Sequence, residues 1–184
     1  GLGDVYKRQQ PDPDQIRKAI DRIALAERPV IVAGAGTKIS GAYDALNKLA
    51  DSMKIPVATS LAAKDAILED SALSVGVVGT YSRRSANQVV AGADLVIFVG
   101  TRAGGMTTHF WTIPPKGTAT IQIDIDPSVN GRNYPNDVSI VGDARICLEK
   151  MSEMNVPVPR NRPLWLKEVK NICSRYKRDY SEFY

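Results

Sequence analysis

The sequence has few of the residues that metal sites and many hydrolytic sites need. Among 184 residues it contains two cysteines, Cys147 and Cys173, and a single histidine, His109. Two cysteines outside a CxxC pair predict neither a disulfide framework nor a four-cysteine zinc site. They favour a reducing compartment, for which we expect the cytoplasm. A lone histidine with no ligand cluster argues against a histidine metal site and a Ser/His/Asp triad.

Long apolar runs and one-sided charge are also missing. No apolar run is long enough to span a bilayer, and residues 1–10 lack the pattern of a secretory signal, so we expect no membrane association. Lys and Arg outnumber Asp and Glu by 24 to 20. Much of this basic excess, which includes Arg160 and Arg162, lies near the end of the chain and is interleaved with acidic residues. Mixed signs at helical spacing indicate a solvated face, so we expect no nucleic-acid partner.

Short apolar runs alternate with helical patterns along the chain. Asp12 before Pro13 predicts a helix start, and Ser40 and Asp143 predict two more. Residues 60–80 are poorly periodic. Most predicted strands are apolar on both faces, which predicts a three-layer, Rossmann-like α/β domain whose parallel sheet of about six strands has helices on both faces. The runs that read as buried strands are 29–33, 56–59, 94–99, 120–125 and 138–141.

Three segments are predicted along the chain. Residues 1–11 follow no periodic pattern and are expected to be a leader, disordered or of artificial origin. Residues 12–155 form the α/β domain. Prolines within 156–184 mark a linker, followed by an amphipathic helix whose apolar stripe runs from Leu164 to Tyr180. No predicted element remains to pack against this stripe, so we expect it to lead to a C-terminal domain that the sequence lacks.

Glycine and polar residues follow the predicted strands, where ligands bind in an open parallel sheet. The loop at 34–36 leads into a helix and can offer N–H groups to a phosphate, or it is a tight turn. Arg102 can pair with a phosphate or carboxylate, or is a surface arginine. Asp124 and Asp126 suit ribose hydroxyls, although Asp126, like Asp143, can instead cap a helix. No acid–base or nucleophilic pair accompanies them, so the pattern indicates a nucleotide-binding module without a catalytic centre.

Six sequence blocks occur in the order found in the central domain of thiamine-diphosphate-dependent enzymes. They are RPVIVAGAG at 28–36, IPVATSL at 55–61, LSVG at 73–76 with Gly79, DLVIFVGTR at 94–102, IQIDIDP at 121–127 and IVGDA at 140–144. From about residue 28 to 151 the chain resembles acetolactate synthase, benzoylformate decarboxylase and their relatives, which share a DHS-like NAD/FAD-binding fold.

The resemblance implies a fragment of a lyase or transferase acting on 2-oxo acids such as pyruvate. In that family, a pyrimidine-binding and a diphosphate-binding domain hold thiamine diphosphate and Mg²⁺, and the enzymes are homodimers or homotetramers. Neither of those domains is recognisable in this sequence, so the fragment alone is expected to be inactive. The central domain of acetolactate synthases binds FAD. The positions that the resemblance assigns to that contact are Gly34, Ala35, Gly36, Ser60, Leu61, Gly79, Gly100, Arg102, Asp124, Ile125, Asp126, Gly142 and Asp143.

Departures from the synthase pattern leave the ligand of this domain open. Ala103 follows Arg102 where those synthases tend to have an aromatic residue, and Val129 stands where they tend to have a glutamate. FAD, ADP or no ligand are all compatible with these residues. A stand-alone module that binds FAD, ADP or NAD without catalysis is the alternative function. An NAD-consuming deacylase of the sirtuin-like fold is a weaker one, because two cysteines cannot form its four-cysteine zinc site.

Overall fold

The computed structural model describes residues 8–176, which form six strands and six α-helices. The strands are β1 (Pro29–Ala33), β2 (Val57–Thr59), β3 (Ser74–Val77), β4 (Leu95–Val99), β5 (Ala119–Asp124) and β6 (Val138–Val141). The helices are α1 (Pro13–Leu25), α2 (Ala35–Ile39), α3 (Tyr43–Met53), α4 (Arg84–Ala91), α5 (Ala144–Glu153) and α6 (Arg162–Arg175). All strand pairs are parallel, in the order β3-β2-β1-β4-β5-β6.

The sheet has a hydrophobic core on each face, because its strand residues alternate between the two faces. Ile97, Ile121 and Ile123 point to the face covered by α1, α3 and α5. Val32 and Phe98 point to the opposite face, where α4 and α6 pack. The predicted three-layer, Rossmann-like α/β fold is therefore confirmed, and strands apolar on both sides are its sequence signature.

The sequence patterns for helix starts hold at two of three positions. Asp12 accepts a hydrogen bond from the Asp14 N–H at 2.8 Å and caps α1, and Asp143 caps α5 by accepting from the Ile146 N–H at 3.1 Å. The prediction that Ser40 caps the next helix was wrong. Ser40 ends the short helix α2, and α3 begins at Tyr43 without a side-chain cap.

One strand, β3, lies inside the region that appeared aperiodic in the sequence. It is short and lies at the edge of the sheet, so only Val75 of its four residues is buried. Gly76 within it has a φ of +94°, a conformation that side chains disfavour. An edge strand with one buried residue and a glycine has almost no alternation to detect.

Helix α6 closes the second face of the sheet. Trp165, Val169 and Ile172 are each at most 4% exposed and pack with α4. The indole N–H of Trp165 also donates to the Pro29 carbonyl oxygen at 2.9 Å. The expectation that this helix has no element to pack against was therefore wrong. Tyr180, at the end of the predicted stripe, lies outside the described residues.

Arg162 anchors the first turn of α6 at the edge of the sheet where the strands begin. Its side chain is fully buried, contrary to the solvated face that the charge pattern indicated. The guanidinium donates to the carbonyl oxygens of Met53 at 2.7 Å, Ala26 at 3.0 Å and Ile23 at 3.2 Å. These carbonyls lie at the C-terminal ends of α3 and α1, where cations are favoured. Burial lowers the pKa of Arg162, and the charge of Asp94 opposes that effect.

Two glycine loops touch where the strand order reverses between β1 and β4. The N–H of Gly36 donates to the Gly100 carbonyl oxygen at 2.9 Å. A Cβ on Gly36 would lie 2.7 Å from Gly100 Cα, and Gly100 itself has a φ of +60°. Side chains are excluded on both loops, because backbone atoms occupy the space that a Cβ would need.

We expect replacement of Arg162 by Met to lower the free energy of unfolding by about 2–3 kcal/mol, because buried carbonyls lose a charged donor. The exposed Arg160 is the matched control, and Arg160→Met should change stability by less than about 0.5 kcal/mol. Urea denaturation of the two variants measures the difference. Equal stabilities would contradict the anchoring role.

Gly36→Ala is expected to destabilise the domain by about 1–3 kcal/mol, since a Cβ overlaps the Gly100 backbone. Gly104→Ala is the control, because a Cβ there meets nothing within 4 Å. Thermal unfolding compares them, and an unchanged melting temperature for Gly36→Ala would show that the two loops can separate at little cost.

Candidate functional site

The candidate site lies along the edge where the six parallel strands end. Chain connections run in one direction from β1 to β3 and in the other from β4 to β6, so the reversal lies between β1 and β4. Ligands of open α/β sheets bind in the crevice outside such a reversal. The loops after β2, β1, β4 and β5 border it across three strand spacings, roughly 14 Å.

The glycine loops at the reversal hold each other and do not present their N–H groups. Gly34 donates to the Val99 carbonyl oxygen at 2.8 Å, and Gly36 donates to that of Gly100. The expectation that this loop offers free N–H groups to a phosphate therefore fails at both glycines. Ala35 lies between them as the first residue of α2. The structure brings Gly34, Ala35, Gly36 and Gly100 together, but as a packed junction.

Arg102 brings a positive charge to the crevice, and the charge of Arg132 also acts on Asp126. The Arg102 side chain is exposed, and within residues 8–176 it makes no ion pair shorter than 4.0 Å. Its charge nevertheless acts on the pKa of both Asp124 and Asp126, in each case favouring the ionised carboxylate. The arginine is thus within electrostatic reach of both carboxylates and keeps its hydrogen-bond donors available for an anion.

Asp124 and Asp126 differ in what their carboxylates do. Burial raises the pKa of Asp124, and repulsion from Asp126 adds to that effect. The carboxylate of Asp124 accepts from the Asp126 N–H at 3.0 Å. Asp126 accepts from the Ser128 hydroxyl at 2.7 Å and from the Ser128 N–H at 2.9 Å, so it stabilises the turn after Ile125. Those two bonds lower the pKa of Asp126. Of the two carboxylates, Asp124 is the one whose ionised form is disfavoured by its surroundings, a feature typical of binding sites.

Ser60 and Leu61 border the crevice from the end of β2. The Ser60 N–H donates to the Ala33 carbonyl oxygen at 2.8 Å, which places this residue beside the end of β1. Its hydroxyl oxygen is buried and has no hydrogen-bond partner among the described residues. Buried hydroxyls normally have partners, so this one fits a ligand atom. Leu61 is 60% exposed beside it.

Gly79 and Gly142 lie at the two outer ends of the same edge and are already engaged. Gly79 exchanges two hydrogen bonds with the Asn87 side chain, at 2.8 and 3.0 Å. The Asp143 N–H donates to the Gln9 carbonyl oxygen at 2.9 Å, and Arg8 lies 3.7 Å from the Asp143 carboxylate. Residues 8–11, expected to belong to the leader, thus cover Gly142 and Asp143. Gly79 nevertheless lies against the loop that carries Arg102, because the Thr80 N–H donates to the Met106 carbonyl oxygen at 2.9 Å. Gly142 and Asp143 lie beyond β6, at the far end of the edge.

Two residues outside the predicted set support the Arg102 loop. Gln122 lies within β5, is 2% exposed, and donates to the Thr101 carbonyl oxygen at 3.1 Å. Asn133 donates to the Arg102 carbonyl oxygen at 2.7 Å. A glutamine inside an apolar strand is a detectable signal, since a buried amide must find partners. Asn133, in an irregular connection, gives no such signal.

Neither a metal centre nor a membrane segment is found in the described part of the chain. Residues 8–176 contain no group of three or more His, Cys, Asp or Glu side chains placed to hold a metal ion. His109 is exposed in the connection between β4 and β5. None of the described helices is long and apolar enough to cross a membrane.

Comparison with known proteins gives one consistent result. The family described as "Thiamine pyrophosphate enzyme, central domain" matches residues 16–151. The chain is 38% identical over 158 residues, 85% of its length, to "Probable acetolactate synthase large subunit" of Methanocaldococcus jannaschii. It is 34% identical over 174 residues, 91% of its length, to "Acetolactate synthase large subunit" of Parasynechococcus marenigrum.

A third relative bears a different name. The chain is 29% identical over 177 residues, 91% of its length, to "3D-(3,5/4)-trihydroxycyclohexane-1,2-dione hydrolase" of Geobacillus thermodenitrificans. The aligned region covers 27%, 28% and 27% of these three relatives, so the chain spans about a quarter of their length. The six-stranded parallel sheet and the match over residues 16–151 agree: the chain belongs to the thiamine pyrophosphate enzyme central domain family.

Proposed function

We propose that this chain is the central domain of an acetolactate synthase-like lyase or transferase that acts on 2-oxo acids such as pyruvate. In the parent enzyme, thiamine diphosphate with Mg²⁺ supplies the carbon–carbon bond chemistry. Those cofactors belong to pyrimidine-binding and diphosphate-binding domains elsewhere in the same polypeptide, which assembles as a homodimer or homotetramer. The acetolactate synthase relatives, of which the aligned region covers 27% and 28%, support this assignment.

We further propose that the crevice between β1 and β4 binds a nucleotide diphosphate, either ADP or the ADP portion of FAD. The observation that carries this proposal is the exposed Arg102 guanidinium, which lies within electrostatic reach of the half-buried Asp124 and has no ion-pair partner in residues 8–176. An arginine can bind a diphosphate through two parallel hydrogen bonds, and a carboxylate at a strand end can accept from ribose hydroxyls.

The residues present fit such a ligand. Arg102 would hold the phosphates, Asp124 the ribose, and the buried, unpartnered Ser60 hydroxyl a further polar atom. The Gly34 and Gly36 N–H groups take no part, because they donate to the β4 loop. In this assignment the domain binds and orients the nucleotide, while none of its residues takes part in a chemical step.

The DNA on both sides of this sequence tests the enzyme assignment. Reading frames that continue into an upstream pyrimidine-binding domain and a downstream diphosphate-binding domain would support it. A free-standing reading frame of this size would instead indicate a nucleotide-binding protein without catalysis, and the enzyme assignment would be abandoned.

Replacing Arg102 by Gln should weaken ADP binding by about tenfold or more, because a charge-assisted hydrogen bond contributes about 1.5–3 kcal/mol. Lys116→Gln removes the same charge from the exposed turn before β5, at the opposite edge of the sheet, and should leave the dissociation constant unchanged. Isothermal titration with ADP, and separately with FAD, gives both constants. Binding that is equally strong in both variants would contradict the assigned role of Arg102.

Thermal unfolding gives a second measure of the same site. ADP at about 100 times its dissociation constant should stabilise the wild-type domain by about 2.7 kcal/mol. Absence of any shift with millimolar ADP or FAD would refute the nucleotide site while leaving the family membership intact.

Asp124→Asn is expected to change the pH dependence of stability in a defined direction. Burial raises the pKa of Asp124 in the folded state, so its favourable contribution exists below the ordinary Asp pKa and is lost as pH rises through the raised value. Relative to wild type, the Asp124→Asn variant should therefore gain stability as pH rises from the ordinary Asp pKa, about 3.9, through the raised value of Asp124, by less than about 1 kcal/mol because solvent screens a half-buried group.

Asp126→Asn is the matched control with the opposite sign. Hydrogen bonds from Ser128 lower the pKa of Asp126, so its contribution is present above the ordinary Asp pKa and is lost on acidification. The Asp126→Asn variant should therefore lose stability relative to wild type as pH rises from strongly acidic conditions through the ordinary Asp pKa, below the range in which Asp124 acts. Urea titrations at several pH values test both, and the same trend in both variants would contradict the different electrostatics of the two carboxylates.

A further inference from the structure

We propose that Gln122 and Asn133 act as positioning residues that set where Arg102 stands in the crevice. We call this pair the Arg102 clamp. Gln122 bonds the loop after β4 from within β5, and Asn133 bonds it from the loop after β5. The inference rests on the nucleotide site proposed for Arg102, and it assigns that site two residues that do not themselves touch the ligand.

The first half of the clamp is a buried amide within the sheet. Gln122 lies on the opposite side of β5 from Ile121 and Ile123, and it is 2% exposed. Its Nε2 donates to the Thr101 carbonyl oxygen at 3.1 Å, and its Oε1 accepts from the Gly131 N–H at 3.0 Å. One side chain thus ties the β4–β5 connection to the β5–β6 connection.

The second half is a contact between those two connections. The side-chain amide of Asn133 donates to the Arg102 carbonyl oxygen at 2.7 Å. Together with the Gln122 bond, this fixes the carbonyls of two consecutive residues, Thr101 and Arg102. Two fixed peptide groups define the direction in which the Arg102 side chain leaves the backbone, because φ and ψ are the only soft torsions there.

Fixing the backbone matters because Arg102 is exposed and makes no ion pair shorter than 4.0 Å in the described part of the chain. The point from which its side chain extends is therefore set by its peptide unit. A peptide unit that is fixed before the ligand arrives loses less conformational freedom on binding. A buried glutamine is costly to desolvate, and an apolar residue would fill the strand at lower cost. The clamp accounts for its presence in a sheet core.

The clamp predicts two separate effects. Asn133→Ala removes one anchor from a partly exposed position, so the melting temperature without ligand should change little. It should nevertheless weaken ADP binding by about tenfold, the effect of losing roughly one well-placed hydrogen bond at Arg102. It should also raise the pKa of Asp124 above its wild-type value, because burial and the Asp126 charge stay while the opposing Arg102 charge moves away.

Comparing Gln122→Met with Thr120→Val separates an effect on the position of Arg102 from an effect on the stability of the domain. Both remove a buried polar group from β5. The Thr120 hydroxyl lies 3.0 Å from the Pro135 carbonyl oxygen and 3.0 Å from the Asn136 side chain, and it bonds neither Thr101 nor Arg102. Both variants should be less stable than wild type. Only Gln122→Met should also weaken ADP binding and raise the Asp124 pKa.

The experiment combines isothermal titration with ADP and an NMR titration of the Asp124 carboxyl carbon in wild type and the three variants. The clamp is supported if the Asp124 pKa is raised in Asn133→Ala and Gln122→Met but not in Thr120→Val. That result supports the clamp even if the wild-type domain fails to bind ADP. Failure to bind ADP would refute only the nucleotide site. An unchanged Asp124 pKa in both clamp variants overturns the clamp. Wild-type ADP affinity in Asn133→Ala overturns it as well.

Discussion

The backbone contact between Gly36 and Gly100 determines how the rest of the site is built. It brings the ends of β1 and β4 together at the reversal of the sheet, with 2.7 Å between the Gly100 Cα and the position of a Gly36 Cβ. Two N–H groups that would otherwise face a ligand are used in holding this junction closed. In the proposed site, recognition therefore depends on side chains, and Arg102 lies two residues after Gly100.

The buried Arg162 anchor and the proposed nucleotide site lie at opposite edges of the sheet. Arg162 bonds the carbonyls that end α1 and α3, beside the beginnings of β1 and β2. Arg102 and Asp124 lie beyond the ends of β4 and β5. The connections that carry them contain no α-helix, so their shape depends on polar contacts such as that of Gln122 with Thr101. Substitutions at the two edges can therefore be examined almost independently.

Local signals in the sequence predicted much of the fold. Apolar runs identified five strands, and Asp12 and Asp143 marked helix starts that the structure confirms. Features set by distant residues were not predictable in this way. Arg162 resembles a solvated charge until the ends of α1 and α3 are placed beside it. The partners of α6 are α4 and a sheet face, both formed by residues more than 60 positions earlier in the chain.

The sequence predicted which residue types follow the strands at the candidate site, but it did not predict the contacts between them. Polar residues after parallel strands predicted a site at the edge where the strands end, and in the structure Ser60, Arg102 and Asp124 follow β2, β4 and β5 along that edge. The central claim, a nucleotide crevice at this reversal, is tested most directly by an ADP titration followed by backbone NMR. The account predicts that shifted amide signals concentrate in the loops after β1, β2, β4 and β5. Signals that do not move, or that move mainly around α6 and the Arg162 end of the sheet, would contradict it.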